Sequence, residues 1–84
     1  MNNISRFIVE YSNDDDTRLK EYPLKSFVLA DFQDEFGIVH STNEMLDKYP
    51  VFECSVLLLE QHLKTKIRWD FLNKSYYLES KTTS

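Results

Sequence analysis

The sequence predicts a single small α+β domain with an N-terminal strand, two or three helices and a C-terminal β-hairpin. Three observations carry this prediction. Residues 4–11, ISRFIVEY, alternate with period two, and so do residues 67–79 on either side of Asn73-Lys74. The stretch between them places apolar residues at helical spacing. The chain has 84 residues, of which 42% are hydrophobic and 14% aromatic, which suits one core and not two. Residues 1–84 therefore read as one domain, with an acidic loop at 12–17 and a tail at 81–84 that should fray.

In the first strand Phe7, Val9 and Tyr11 share one face, and Arg6 and Glu10 the other. That pattern predicts a half-buried strand with the aromatic face inward. Ser12-Asn13-Asp14-Asp15-Asp16 is a solvated loop, and Thr17–Tyr22 continues as a short edge strand. Residues 23–36 read as a helix, with a strand as the alternative. Pro23 suits a first helical position, Gly37 suits a stop, and Leu24, Val28, Phe32 and Phe36 repeat at i+4. Against a helix, Asp34 and Glu35 would sit in the last turn, where the dipole disfavours them. Ile38-Val39-His40 is a short strand.

Ser41-Thr42-Asn43-Glu44 matches a capping box, which predicts a helix over 42–48. Tyr49-Pro50 ends it, and Pro50 opens another helix over 51–65. Phe52, Val56, Leu59 and Leu63 form the main stripe of that helix, with Val51, Cys54 and Leu58 beside it. Only Glu53, Glu60 and Lys64 make a polar face, and Leu57 lies among them. Finally Ile67, Trp69 and Phe71 alternate with Arg68 and Asp70, and Tyr76 and Leu78 with Tyr77 and Glu79. From residue 23 to about 80 this element order resembles a winged helix. The resemblance implies a third helix that reads DNA and a hairpin that serves as the wing.

Composition narrows function mainly by exclusion. With one Gly the chain lacks the loops that bring backbone against phosphate, and no G-x-x-x-x-G-K-[ST], G-x-G-x-x-G or G-x-S-x-G is present. Asp14-Asp15-Asp16 lacks the Gly and distal Glu of a calcium loop. Cys54 and His62 are eight residues apart, too far to converge on a metal from one helix. They read as a buried thiol and a satisfied histidine. No metal, cofactor or catalytic residue is expected. His40 and Ser41 are adjacent and would point to opposite faces of a strand. Residues 1–16 show no apolar leader, and the longest apolar run, Val56–Leu59, is far short of a membrane span. The expected location is the cytoplasm, without membrane contact.

Net charge is -4 but unevenly placed: residues 1–60 sum to -7 and residues 61–84 to +3. Two readings follow. The favoured one is a small acidic regulator, an inhibitor or adaptor acting by protein–protein contact, self-association as a homodimer included. Its interface candidates are Leu57, Glu53, Glu60, Asp34 and Glu35, an apolar anchor rimmed by charge. The competing bland reading packs Leu57 against the N-terminal strand. Asp14–Asp16, Asp31, Asp34, Glu35, Glu44 and Asp47 would let such a protein present carboxylates where a partner expects phosphates. The alternative is a nucleic-acid-binding regulator using Lys64, Lys66, Arg68, Lys74 and Tyr77 of the hairpin. Against it, helix 51–65 offers few donors for base edges.

Overall fold

The computed structural model describes residues 3–83. Strand β1 (Asn3–Ser12) turns through the acidic loop into β2 (Arg18–Pro23). Helix α1 (Leu29–Glu35), a three-residue strand β3 (Tyr49–Val51), a 3-10 turn (Glu53–Ser55) and helix α2 (Val56–His62) follow, and β4 (Lys74–Thr83) closes the chain. The four strands form one antiparallel sheet in the order β2-β1-β4-β3. Its backbone is the β1–β4 ladder, which runs from Asn3↔Thr83 to Ser12↔Lys74. The α+β architecture expected from the alternating ends and the helical middle is thus the one that forms.

The helices cover one face of this sheet. Ile8, Tyr22, Val51, Tyr76 and Leu78 point into that layer and meet Phe32 of α1, Leu59 of α2, and Met45, Leu63 and Ile67. Burying each such side chain contributes about 1.5–3 kcal/mol before entropy is counted. This reverses the face assigned to β1. Arg6 and Glu10 flank Ile8 on the covered side, while Phe7, Val9 and Tyr11 line the open side. The charges are tolerated there because each has partners. Glu10 accepts from the Tyr22 hydroxyl at 3.3 Å and pairs with Lys74 at 3.4 Å. Arg6 donates to the carbonyls of Met45 and Glu44, both at 2.7 Å, and its guanidinium lies 3.9 Å over the Phe27 ring.

Arg6 also explains why no helix forms over 42–48. Its two donors and the Gln33 amide, which reaches the Ser41 and Asn43 carbonyls at 3.0 and 2.7 Å, hold residues 41–46 as an irregular strap. Ser80 adds a bond to the Leu46 carbonyl at 3.0 Å. The carbonyls that a helix would have used are taken from outside, and Met45 is buried with a φ of 56°. Ile38-Val39-His40 is likewise not a strand, and Val39 is exposed.

The ambiguous segment 23–36 contains both alternatives. Pro23 ends β2, and helix begins only at Leu29, with Phe32 as its buried residue. Gly37 stops it as expected. Its φ is 69°, its amide bonds the Asp34 carbonyl, and the Ile38 amide bonds that of Gln33, which is a Schellman motif. The long helix expected over 51–65 is shorter, because Val51 belongs to β3 and Leu63 is already extended. Leu59 and Leu63 pack inward with Leu58 against them, but Val56 is only half-buried and Phe52 stays exposed.

The C-terminal hairpin does not form. Residues 67–73 carry no strand, and β4 pairs with β1 and β3. Trp69 and Phe71 do share a side, as alternation implies, but they stack on each other at 5.5 Å and around Tyr76. Without the 42–48 helix and the hairpin, the winged-helix resemblance has lost the elements that carried it. Residues 81–83 are not frayed either, since they complete the ladder with β1; Ser84 lies outside the described residues.

Candidate functional site

The sheet separates two surfaces of different chemistry. On the covered side, the chain between Lys25 and Lys64 carries seven carboxylates and a single Lys or Arg, Lys48. Lys48 leaves that layer and reaches the open face of the sheet, where it meets Tyr11 and Tyr77. Asp31, Asp34, Glu35, Glu53 and Glu60 are exposed, and among the described residues none of them forms a salt bridge, although Glu60 shares a small pocket with Lys64 and Lys66. Ser55 donates to Glu35 at 3.5 Å, which joins the end of α1 to the start of α2. Helical spacing in α2 puts Glu60 one turn from Leu57, and Glu53 begins the 3-10 turn that leads into that helix. Leu57 is 76% exposed, so it does not pack against β1. Phe52, next to Glu53, is 64% exposed.

Of the other sequence candidates, Cys54 is exposed rather than buried. His62 is buried, and its Nδ1 shares a 2.7 Å hydrogen bond with the Ser26 hydroxyl. Among the described residues no three His, Cys, Asp or Glu side chains are grouped to hold a metal ion. None of their helices is long and apolar enough to cross a membrane.

The residues of the nucleic-acid reading are not brought together. Lys74 faces the covered side and pairs with Glu10, while Tyr77 points to the open side. Lys64 borders a cleft between the ends of β1 and β2, beside Lys25 and Ser26. Lys66 and Arg68 are exposed on the irregular segment before Asp70.

The open face has its own organised cluster. Tyr11 and Tyr77 meet edge to face at 5.6 Å, with interplanar angle 84°. The Lys48 ammonium lies 4.4 Å from both ring centroids. The Tyr11 hydroxyl donates to Glu79 Oε2 at 2.6 Å, and this bond holds its pKa above the ordinary phenol value. Arg18 and Lys48 each lie 4.0 Å from that carboxylate. Val9, on the Tyr11 strand and opposite Tyr77, is fully buried although it faces away from the helices.

A family model described as a domain of unknown function, DUF7683, matches residues 5–79. The chain belongs to this family. No curated protein and no solved structure matches it. The DUF7683 match begins inside β1 and ends inside β4, so it spans the central ladder, the helical layer and both surfaces.

Sequence reasoning found Leu57 and its acidic rim, and Tyr77 singly. It missed Tyr11, Lys48 and Glu79 as a group. Alternation did assign Tyr11 and Tyr77 to definite strand faces. Joining them needed the β1–β4 register, which no local pattern encodes.

Proposed function

We propose that the protein is a small cytosolic regulator, an inhibitor or adaptor, that acts by docking a basic protein surface on its helical layer, with no catalytic step of its own. The observation that supports this reading is Leu57. A leucine 76% exposed on a helix, with exposed Glu53 and Glu60 before and after it in sequence, has the make-up of an apolar anchor with a charged rim. A partner of matching chemistry offers an apolar socket among lysines and arginines, such as the basic groove of a nucleic-acid enzyme. The lone exposed thiol of Cys54 suits a reducing compartment. Direct nucleic-acid binding has less support, because its cations are dispersed and one is paired with Glu10.

The test uses immobilised full chain and nuclease-treated lysate of the native host. The wild type should retain a basic protein that is lost with Leu57→Asp and weakened by Glu53→Lys. The melting temperature should hold, since an exposed substitution costs about 0.5 kcal/mol or less. Capture that ignores Leu57, or that disappears with nuclease, would refute the reading. Sedimentation of both variants separates a foreign partner from a second copy.

A further inference from the structure

We propose that Tyr11, Tyr77 and Glu79 form a receptor for the ammonium of a partner's lysine side chain, and that Lys48 is its intramolecular occupant. This site is independent of the helical layer and lies on the opposite side of the sheet.

The geometry supplies each part. Two ring faces stand nearly perpendicular, 5.6 Å apart, and an ammonium 4.4 Å from both centroids is within cation–π range of each. Glu79 supplies the negative charge and is fixed by the Tyr11 hydroxyl at 2.6 Å. Its side chain is only 17% exposed, so water screens it poorly. Val9, fully buried, is paired with Tyr77 and lies two residues before Tyr11 on the same strand face. The rings are preorganised because Val9↔Tyr77 and Tyr11↔Ser75 are consecutive pairs on one face of the ladder.

The present occupant identifies the ligand chemistry: a primary alkylammonium. Its ion pair with Glu79 is long. Lys48 is 51% exposed and stands 4.0 Å from the carboxylate, longer than a good charge-assisted hydrogen bond. It makes no hydrogen bond to Glu79 that would have to be broken on exchange. Exchange for a second lysine conserves charge in the site and returns Lys48 to water. Arg18, paired with Glu21 at 2.8 Å, stays as a second cation at the rim and disfavours a doubly charged ligand.

The probe is N-acetyl-lysine methylamide, with N-acetyl-norleucine methylamide as the uncharged control. The readout is the ring-proton resonances of Tyr11 and Tyr77. Lys48→Ala should bind the lysine probe about tenfold more tightly than the wild type, because the competitor is gone. The double variant Lys48→Ala/Tyr77→Leu keeps an apolar cover on Val9 but lacks the second ring face, and it should lose the binding. Lys48→Ala/Glu79→Gln provides a second loss of binding without altering the rings. Cooperative melting of each variant shows that the sheet is intact. Leu57→Asp should leave the titration unchanged. No probe-dependent shift in Lys48→Ala, an equal response to the norleucine compound, or equal affinity in wild type and Lys48→Ala would overturn the proposal. Concentration-dependent shifts without probe would assign the site to a second copy and overturn it too.

Discussion

Replacing Arg6 by Ala should be among the most damaging single changes to a side chain that is not apolar. Two of its nitrogens donate to carbonyls 38 and 39 residues away in sequence, at 2.7 Å each, and its guanidinium covers Phe27 at 3.9 Å. A hydrogen bond from a charged donor contributes about 1.5–3 kcal/mol, and Arg6 is partly buried, so the pair contributes about 3 kcal/mol. The cation–π contact adds about 0.5–1 kcal/mol. The loss of about 3–4 kcal/mol is most of the net stability expected of so small a domain. At this size it corresponds to a fall of about 15–25 °C in Tm. Arg6→Lys keeps the charge but not the fork, so it should lose about half as much. Urea unfolding followed by Trp69 fluorescence measures both. Limited proteolysis should cut first within residues 41–46, the strap that Arg6 holds. A change below about 0.5 kcal/mol in Arg6→Ala would refute the claim that these bonds replace the 42–48 helix.

Two further outcomes follow from local geometry. Gly37→Val should cost about 1–2 kcal/mol and Gly37→Asn clearly less, by thermal melting, because φ is 69° while a Cβ there meets no atom within 4 Å. The penalty is thus in the backbone, and enlarging neighbouring cavities should not rescue it. Burial pushes the Tyr76 hydroxyl up to about 12, against the smaller opposing effect of the Asp70 amide that donates to it. Between pH 10 and 12 the unfolded chain loses this proton first, so the folded state binds more protons. The stabilisation is complete below pH 10 and falls as pH rises to about 12. Tyr22 and Tyr11 shift in the same direction and add to the loss. Tyr76→Phe should flatten the alkaline limb of stability against pH, and an unchanged slope would contradict the assignment.

What was legible in this chain was local chemistry. The alternation of 4–11, the turn residues of 12–17, the helical repeat through Phe32 and the stop at Gly37 each act over a few residues, and each appears in the fold. The errors arise where a distant residue intervenes. The capping box at Ser41 competes with Arg6 and Gln33 for the same carbonyls and loses. Hydrophobicity alone would turn Phe7, Val9 and Tyr11 inward on β1, but Glu10 and Arg6 are stabilised there by Lys74, Tyr22 and the strap, and Tyr11 joins the open-face cluster instead. The alternation of Ile67–Phe71 reflects aromatic stacking on Tyr76 and not a ladder. The exposure of Leu57 near Glu60 was legible because the two lie three residues apart on α2. The open-face cluster was not, because its members come from three separate segments.

The β1–β4 ladder also has a consequence for how the domain is made. During synthesis β1 emerges long before its principal partner β4, with which it pairs from Asn3↔Thr83 to Ser12↔Lys74. Until β4 is free of the ribosome, β1 can pair only with β2, and such a two-stranded ribbon is marginal alone. One whole edge of β1, with Ile8 and Val9 beside it, must wait unsatisfied. Closing the loop between β1 and β4 should therefore limit the folding rate, and the domain should fold in one step once β4 is available. The nascent chain is exposed to aggregation, and to chaperones, for as long as the ribosome holds β4 back.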